Sequence, residues 1–136
     1  MSWLDHVGER RKMVDKVYSA PPSLTDVDLF QVDVDREGPR IDMRFDLATF
    51  ADNPLTEWVA DGRNRIQLKL TFSFVRDLVI RGFGWENKAS IDMHLHDHET
   101  LAVHVHGNTT DISFRCSRHL ILQHLSAYIH APNSTP

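Results

Sequence analysis

Nine histidines stand in this chain of 136 residues, and five of them fall between His94 and His106. Imidazole changes charge near neutral pH and is the commonest protein ligand for zinc, so chemistry is sought here first. On a strand, residues two apart share a face, which puts Asp92, His94 and His96 together and turns Ile91, Met93 and Leu95 to the opposite side. The next alternation, Leu101, Val103 and Val105, leaves His104 and His106 outward. A hairpin that keeps both apolar sets on one side predicts His94 opposite His104 and Asp92 opposite His106. Imidazoles and a carboxylate so placed could hold zinc or nickel. His94, His96 and His104 are then the candidate metal ligands of a small metal-dependent β-barrel enzyme or sensor. An exposed polar face rich in histidine explains the same spacing, and a metal-free face is the expectation.

Two known signatures come close to this segment and fail. The run His94-Leu95-His96-Asp97-His98 is one residue short of the H-x-H-x-D-H signature of metallo-β-lactamases. The cupin pattern needs one spacer more than Glu99 provides, and a second histidine-bearing motif that the chain lacks. Nucleophilic chemistry fares no better. No serine lies in a G-x-S-x-G elbow. Cys116, the single cysteine, shares the apolar parity of Ile112 and Phe114, which predicts a buried, inert thiol. Gly82-Phe83-Gly84 is too short to cradle a phosphate. No catalytic residue and no cofactor are expected.

Charge is the other uneven property. Net charge is −4, yet residues 20–61 hold ten acids against three bases, Arg36, Arg40 and Arg44. The acids of the first hairpin alternate with apolar residues and are expected on its outer face. Asp33, Asp35, Asp42 and Asp46 are the candidate partner-binding residues, suited to a basic protein. A solvated face accounts for the same acids. No concentrated basic patch appears, so nucleic acid is not expected as a partner.

The elements that must position these groups are short strands. Trp3, Val7, Val14, Val17 and Tyr18 recur at loosely helical spacing, which predicts one amphipathic helix within residues 1–19, with Ser2 as N-cap. Pro21-Pro22 ends it. From Asp26 the period becomes two, and the apolar parity flips between Leu29 and Val32, predicting a bulge at Phe30-Gln31. Arg36 to Pro39 is a turn, and Ile41, Met43, Phe45 and Leu47 mark the second strand. A polar connection over about residues 48–63 holds Trp58, which is expected to pin it to the core. Ile66, Leu68, Leu70 and Phe72 give the cleanest alternation. Further strands are predicted at 77–82, 90–96, 101–106, 111–116 and within 120–128. Seven or eight strands without a βαβ rhythm argue for a mainly β fold, an antiparallel sandwich or partly open barrel. The chain reads as one domain over 1–136: the helix to residue 19, a β domain over 20–130 and a tail over 131–136.

Hydrophobic residues at 41% and charged residues at 25% are ordinary for a globular protein. No apolar run approaches the roughly 20 residues that span a bilayer, so no membrane partner is expected. The early Asp5 and the missing apolar stretch argue against a signal peptide, and with one cysteine they favour the cytoplasm.

The ordered landmarks carry a resemblance. Tyr18 and Pro22-Ser23-Leu24 lead to the acid-flanked strand ending in Asp35-Arg36-Glu37-Gly38-Pro39. Pro54, Trp58 and the run from Gly62 to Phe72 follow, then Ile112 to Cys116 and Ala127-Tyr128. Over about Tyr18 to Tyr128 the chain resembles the Immunity protein 50 family of bacterial polymorphic-toxin systems. The resemblance implies a cytoplasmic antitoxin that binds and silences a cognate toxin domain. It carries over no catalytic residue and leaves oligomeric state open. The histidine hairpin is a departure from the family's pattern, and the N-terminal helix lies outside the matched region.

Overall fold

Ile66, Leu68, Leu70 and Phe72 are each no more than 1% exposed, so the cleanest alternation in the sequence forms a fully buried strand face. They belong to β3 (Arg65–Ser73), which the computed structural model, describing residues 2–131, places between β2 (Arg40–Asp46) and β8 (Ile121–Tyr128). The other strands are β1 (Val27–Asp35), β4 (Arg76–Arg81), β5 (Lys88–Leu95), β6 (Thr100–Gly107) and β7 (Asp111–Ser117). All eight form one antiparallel sheet in the order β4-β7-β6-β5-β1-β2-β3-β8. The mainly β fold predicted from the sequence is the one observed. Residues 132–136 of the predicted tail lie outside the described residues.

The sheet is continuous in hydrogen bonding but narrow at one place. β1 meets β5 only through Val27 opposite Ala89 and Asp28 opposite Lys88, whereas its neighbours pair along their lengths. This short junction lets the halves fold toward each other. Phe72 of β3 meets Phe114 of β7 edge to face, with centroids 5.2 Å apart. The edge strands β4 and β8 do not pair, so the sheet stays open. The predicted bulge is present: the β1–β2 register shifts between Leu29 and Gln31, leaving Phe30 exposed.

The one short helix expected within residues 1–19 is present as the four-residue α1 (Lys12–Asp15), preceded by two 3-10 turns, Trp3–His6 and Glu9–Arg11. Ser2 does cap the first turn, accepting from the Leu4 N–H while Asp5 accepts from the Ser2 N–H. What keeps the helix short is tertiary: Val7 is extended and forms a parallel bridge with Leu120, and the His6 carbonyl accepts from the Leu120 N–H at 2.9 Å. The Arg10 guanidinium adds bonds to the Leu122 and Gln123 carbonyls. The segment thus covers part of the β8 edge, which a sheet otherwise leaves open to foreign strands.

The connection after β2 contains a second short helix, α2 (Thr56–Asp61), closed by Gly62 in the left-handed region at φ 73°. Six residues are too few for a periodic signal, so it read as a loop. Trp58 on this helix is buried as expected, with the Phe50 ring centroid 6.2 Å from its own. No helix of the described residues is long and apolar enough to cross a membrane.

Two outcomes follow from this packing. Trp58→Ala should cost about 3–5 kcal/mol in a urea titration, because it removes a buried indole that fastens α2. His6 concerns pH. Its ring is buried with Nδ1 unpartnered among the described residues, and burial, followed by the Arg118 charge, pushes its pKa below the ordinary 6.5. The unfolded chain therefore binds this proton before the folded one does. The contribution to stability is fully present above that ordinary value and is lost as pH falls toward the depressed one. His6→Leu should shrink the fall in melting temperature between about pH 7.5 and about pH 5.5.

Candidate functional site

The histidine face forms on β5, β6 and β7, with a register two residues away from the one expected. Asp92 lies opposite His104, His94 opposite Ala102, and Ser90 opposite His106. His94 therefore does not face His104; the two are diagonal neighbours beside one shallow depression. β5 ends at Leu95, so His96 sits in the following turn, where its N–H donates to the Thr100 carbonyl at 2.8 Å. The carboxylates take up the outward rings on the diagonals. His106 Nε2 is 2.6 Å from Asp92 Oδ2, and His104 Nε2 is 2.6 Å from Asp111 Oδ1. The two rings lie 4.9 Å apart. Among the described residues no three His, Cys, Asp or Glu side chains come together in a way that could hold a metal ion. His94, His96 and His104 are not assembled as the ligand set that their spacing suggested. The register is set by the turn at residues 96–99, which sequence alternation cannot count.

The acid-bearing face belongs to β1 and β2, and its four candidates have different surroundings. Asp33 lies directly opposite Asp42, and Asp35 opposite Arg40. Asp33 is exposed and accepts from Gln31 Nε2 at 2.8 Å. Asp35 is exposed, accepts from the Glu37 N–H at 2.8 Å and has the Arg40 guanidinium 3.8 Å away. Asp42 is half-buried and accepts from the Thr71 hydroxyl at 2.5 Å.

Asp46 is a correction. It was expected on an accessible outer face, but it is wholly buried. Gln67 Nε2 donates to it at 3.0 Å, the Tyr128 hydroxyl donates to its other oxygen, and the Arg65 guanidinium stands 3.5 Å away. Burial, followed by that bond to Asp46, pushes the Tyr128 hydroxyl pKa up. The side chain points outward as alternation requires, and its neighbours on β3 and β8 then roof it over. Asp46 joins strands and is unavailable to a partner.

These outer-face groups are linked. Arg44 donates to Gln31 at 2.9 Å and to Gln67 at 3.2 Å, so a polar chain runs from Asp33 through Gln31, Arg44 and Gln67 to Asp46. Cys116 is buried as predicted, and burial pushes its thiol pKa up to about 12.

The family model of Immunity protein 50 matches residues 10–127. The chain belongs to that family. No curated protein and no solved structure matches it. The match takes in residues 10–17, including α1, which the resemblance had left outside. In this Immunity protein 50 member the matched region spans β1 to β7 and β8 up to Ala127, the histidine face and the acid face alike.

One exposed group went unread in the sequence. Phe83 and Trp85 lie in the loop between β4 and β5 and project into solvent. Their alternation with Gly82 and Gly84, too short to cradle a phosphate, is the signal that the sequence offers for them.

Opposed aspartates on neighbouring strands repel. Asp33→Asn should therefore leave the melting temperature of the free protein unchanged or raise it slightly at low salt. A loss above about 1 kcal/mol would show that its bond to Gln31 outweighs the repulsion.

Proposed function

We propose that this chain is an immunity protein that works by binding, occupying a cognate toxin domain in the cytoplasm and silencing it without chemistry of its own. The observation that carries this is the family match over residues 10–127. The character of the outer surface supports it. Asp33 and Asp42 stand opposed with no cation directly across from either on a neighbouring strand. A basic partner would relieve that repulsion, and complementary charge also speeds encounter. Asp33, Asp35 and Asp42 are the proposed contacts.

The test of the function is direct. The product of the reading frame beside this gene is expressed in cells with and without the chain, and should kill those without it. Growth should be restored only with it, and the two proteins should co-purify. Continued killing with the chain present would end this reading.

The acid face is tested separately. Association of that toxin domain is measured against salt for the wild type and the Asp33→Asn, Asp35→Asn, Asp42→Asn variant. The variant should associate about tenfold more slowly at low salt, converge with the wild type at high salt, and dissociate at nearly the same rate. Coincident curves would reduce these acids to solvation.

A further inference from the structure

Trp85 keeps 98% of its surface in solvent, and Phe83 beside it keeps 42%. An indole carries some 150–250 Å² that other environments would hide, so its position in open water calls for a use. The loop that holds it is tied down at both ends. Gly82 has φ +70°, and a Cβ there would fall 1.7 Å from the Thr109 carbonyl oxygen, so the backbone lies against the turn before β7. Asn87 is 3% exposed and closes the loop on itself. It accepts from the Gly84 N–H at 2.8 Å and donates to the Gly84 carbonyl at 2.7 Å. The Thr110 hydroxyl donates to its side chain at 3.1 Å, and the Leu29 N–H donates to its carbonyl at 3.1 Å. Trp85 is thus presented by a pinned loop at the place where β1 departs from β5.

A cleft of about 410 Å³ opens there between Trp85 and Phe30, the residue left out of register by the β1 bulge. Its charged residues are Asp28 and Glu86, and no cation lines it. Lys88 flanks it across the β1–β5 junction, opposite Asp28. The Phe30 ring already has the Arg44 guanidinium 5.5 Å from its centroid, which shows the chemistry its face accepts. We infer that this cleft is the anchoring point of the toxin interface, and that it receives an arginine or lysine side chain of the toxin. The cation lies against the aromatic rings and is neutralised by Asp28 and Glu86. Asp33 and Asp35 follow Phe30 along the same strand, so one basic surface would engage both. Because the loop is already ordered, docking there freezes little that was free.

This inference rests on the immunity reading, and one experiment separates their failures. Binding of the neighbouring-gene toxin domain is measured by calorimetry for the wild type, Trp85→Ala and Glu86→Gln, with melting temperatures of the free proteins as a check on folding. Trp85→Ala should weaken binding about 30-fold or more at an unchanged melting temperature, as loss of a central aromatic anchor does. Glu86→Gln should weaken it about three- to tenfold and flatten its salt dependence. In protein labelled with 5-fluorotryptophan, the Trp85 fluorine signal should shift on adding the toxin domain while those of buried Trp3 and Trp58 stay in place. Wild type that binds, with Trp85→Ala within twofold of it and an unmoved Trp85 signal, overturns the cleft and leaves the immunity reading standing. Wild type that does not bind removes both.

Discussion

An eight-stranded sheet with no long helix among the described residues to cover it has mainly itself to pack against, and that constraint organises the molecule. Each strand except the irregular β4 carries apolar side chains on one face that water disfavours, and burying them requires the sheet to double over. The doubling is possible because β1 and β5 share only two cross-strand pairs, Val27 with Ala89 and Asp28 with Lys88. A fully paired seam there would stiffen the sheet where it must turn. Phe72 against Phe114, and the closed row of Ile66, Leu68 and Leu70, are the consequence.

Spending one face of the sheet on the core leaves the other for polar work. On β1, β2, β3 and β8 that face is a run of hydrogen bonds in which Arg44 bridges Gln31 and Gln67, and Asp46 is enclosed by Gln67, Arg65 and Tyr128. On β5, β6 and β7 it is two imidazole–carboxylate pairs on the diagonals. A buried carboxylate surrounded by donors holds strands in place, whereas an exposed one across from another acid holds nothing. That contrast separates Asp46 from Asp33, although both belong to the same hairpin and alternate in the same way; half-buried Asp42, bonded by Thr71, stands between the two.

The ends and corners of the sheet are handled differently. The N-terminal segment lies along β8, bridging Val7 to Leu120 and sending Arg10 to two β8 carbonyls. The opposite edge, β4, has Val79 and Ile80 partly exposed and runs directly into the loop that carries Phe83 and Trp85. This edge and its loop therefore carry one stretch of unshielded apolar surface. The bulge at Phe30 adds an aromatic ring to it.

By itself the sequence determined the strand faces, the β1 bulge, the buried thiol and the ordered landmarks of the family, because each depends on residue type and a period of two that neighbouring residues express locally. Ile66 to Phe72 could be assigned to the core without knowing what they meet. Tertiary structure alone decided the rest. Register across the His96–Glu99 turn moved His94 away from its expected partner, since alternation fixes which face a residue takes and not which residue lies opposite. Asp46 pointed outward as alternation requires, but Gln67 and Tyr128, 21 and 82 positions away, closed over it. The predicted N-terminal helix is confined to Lys12–Asp15 because Val7 found a backbone partner in Leu120, a pairing that no local propensity could announce.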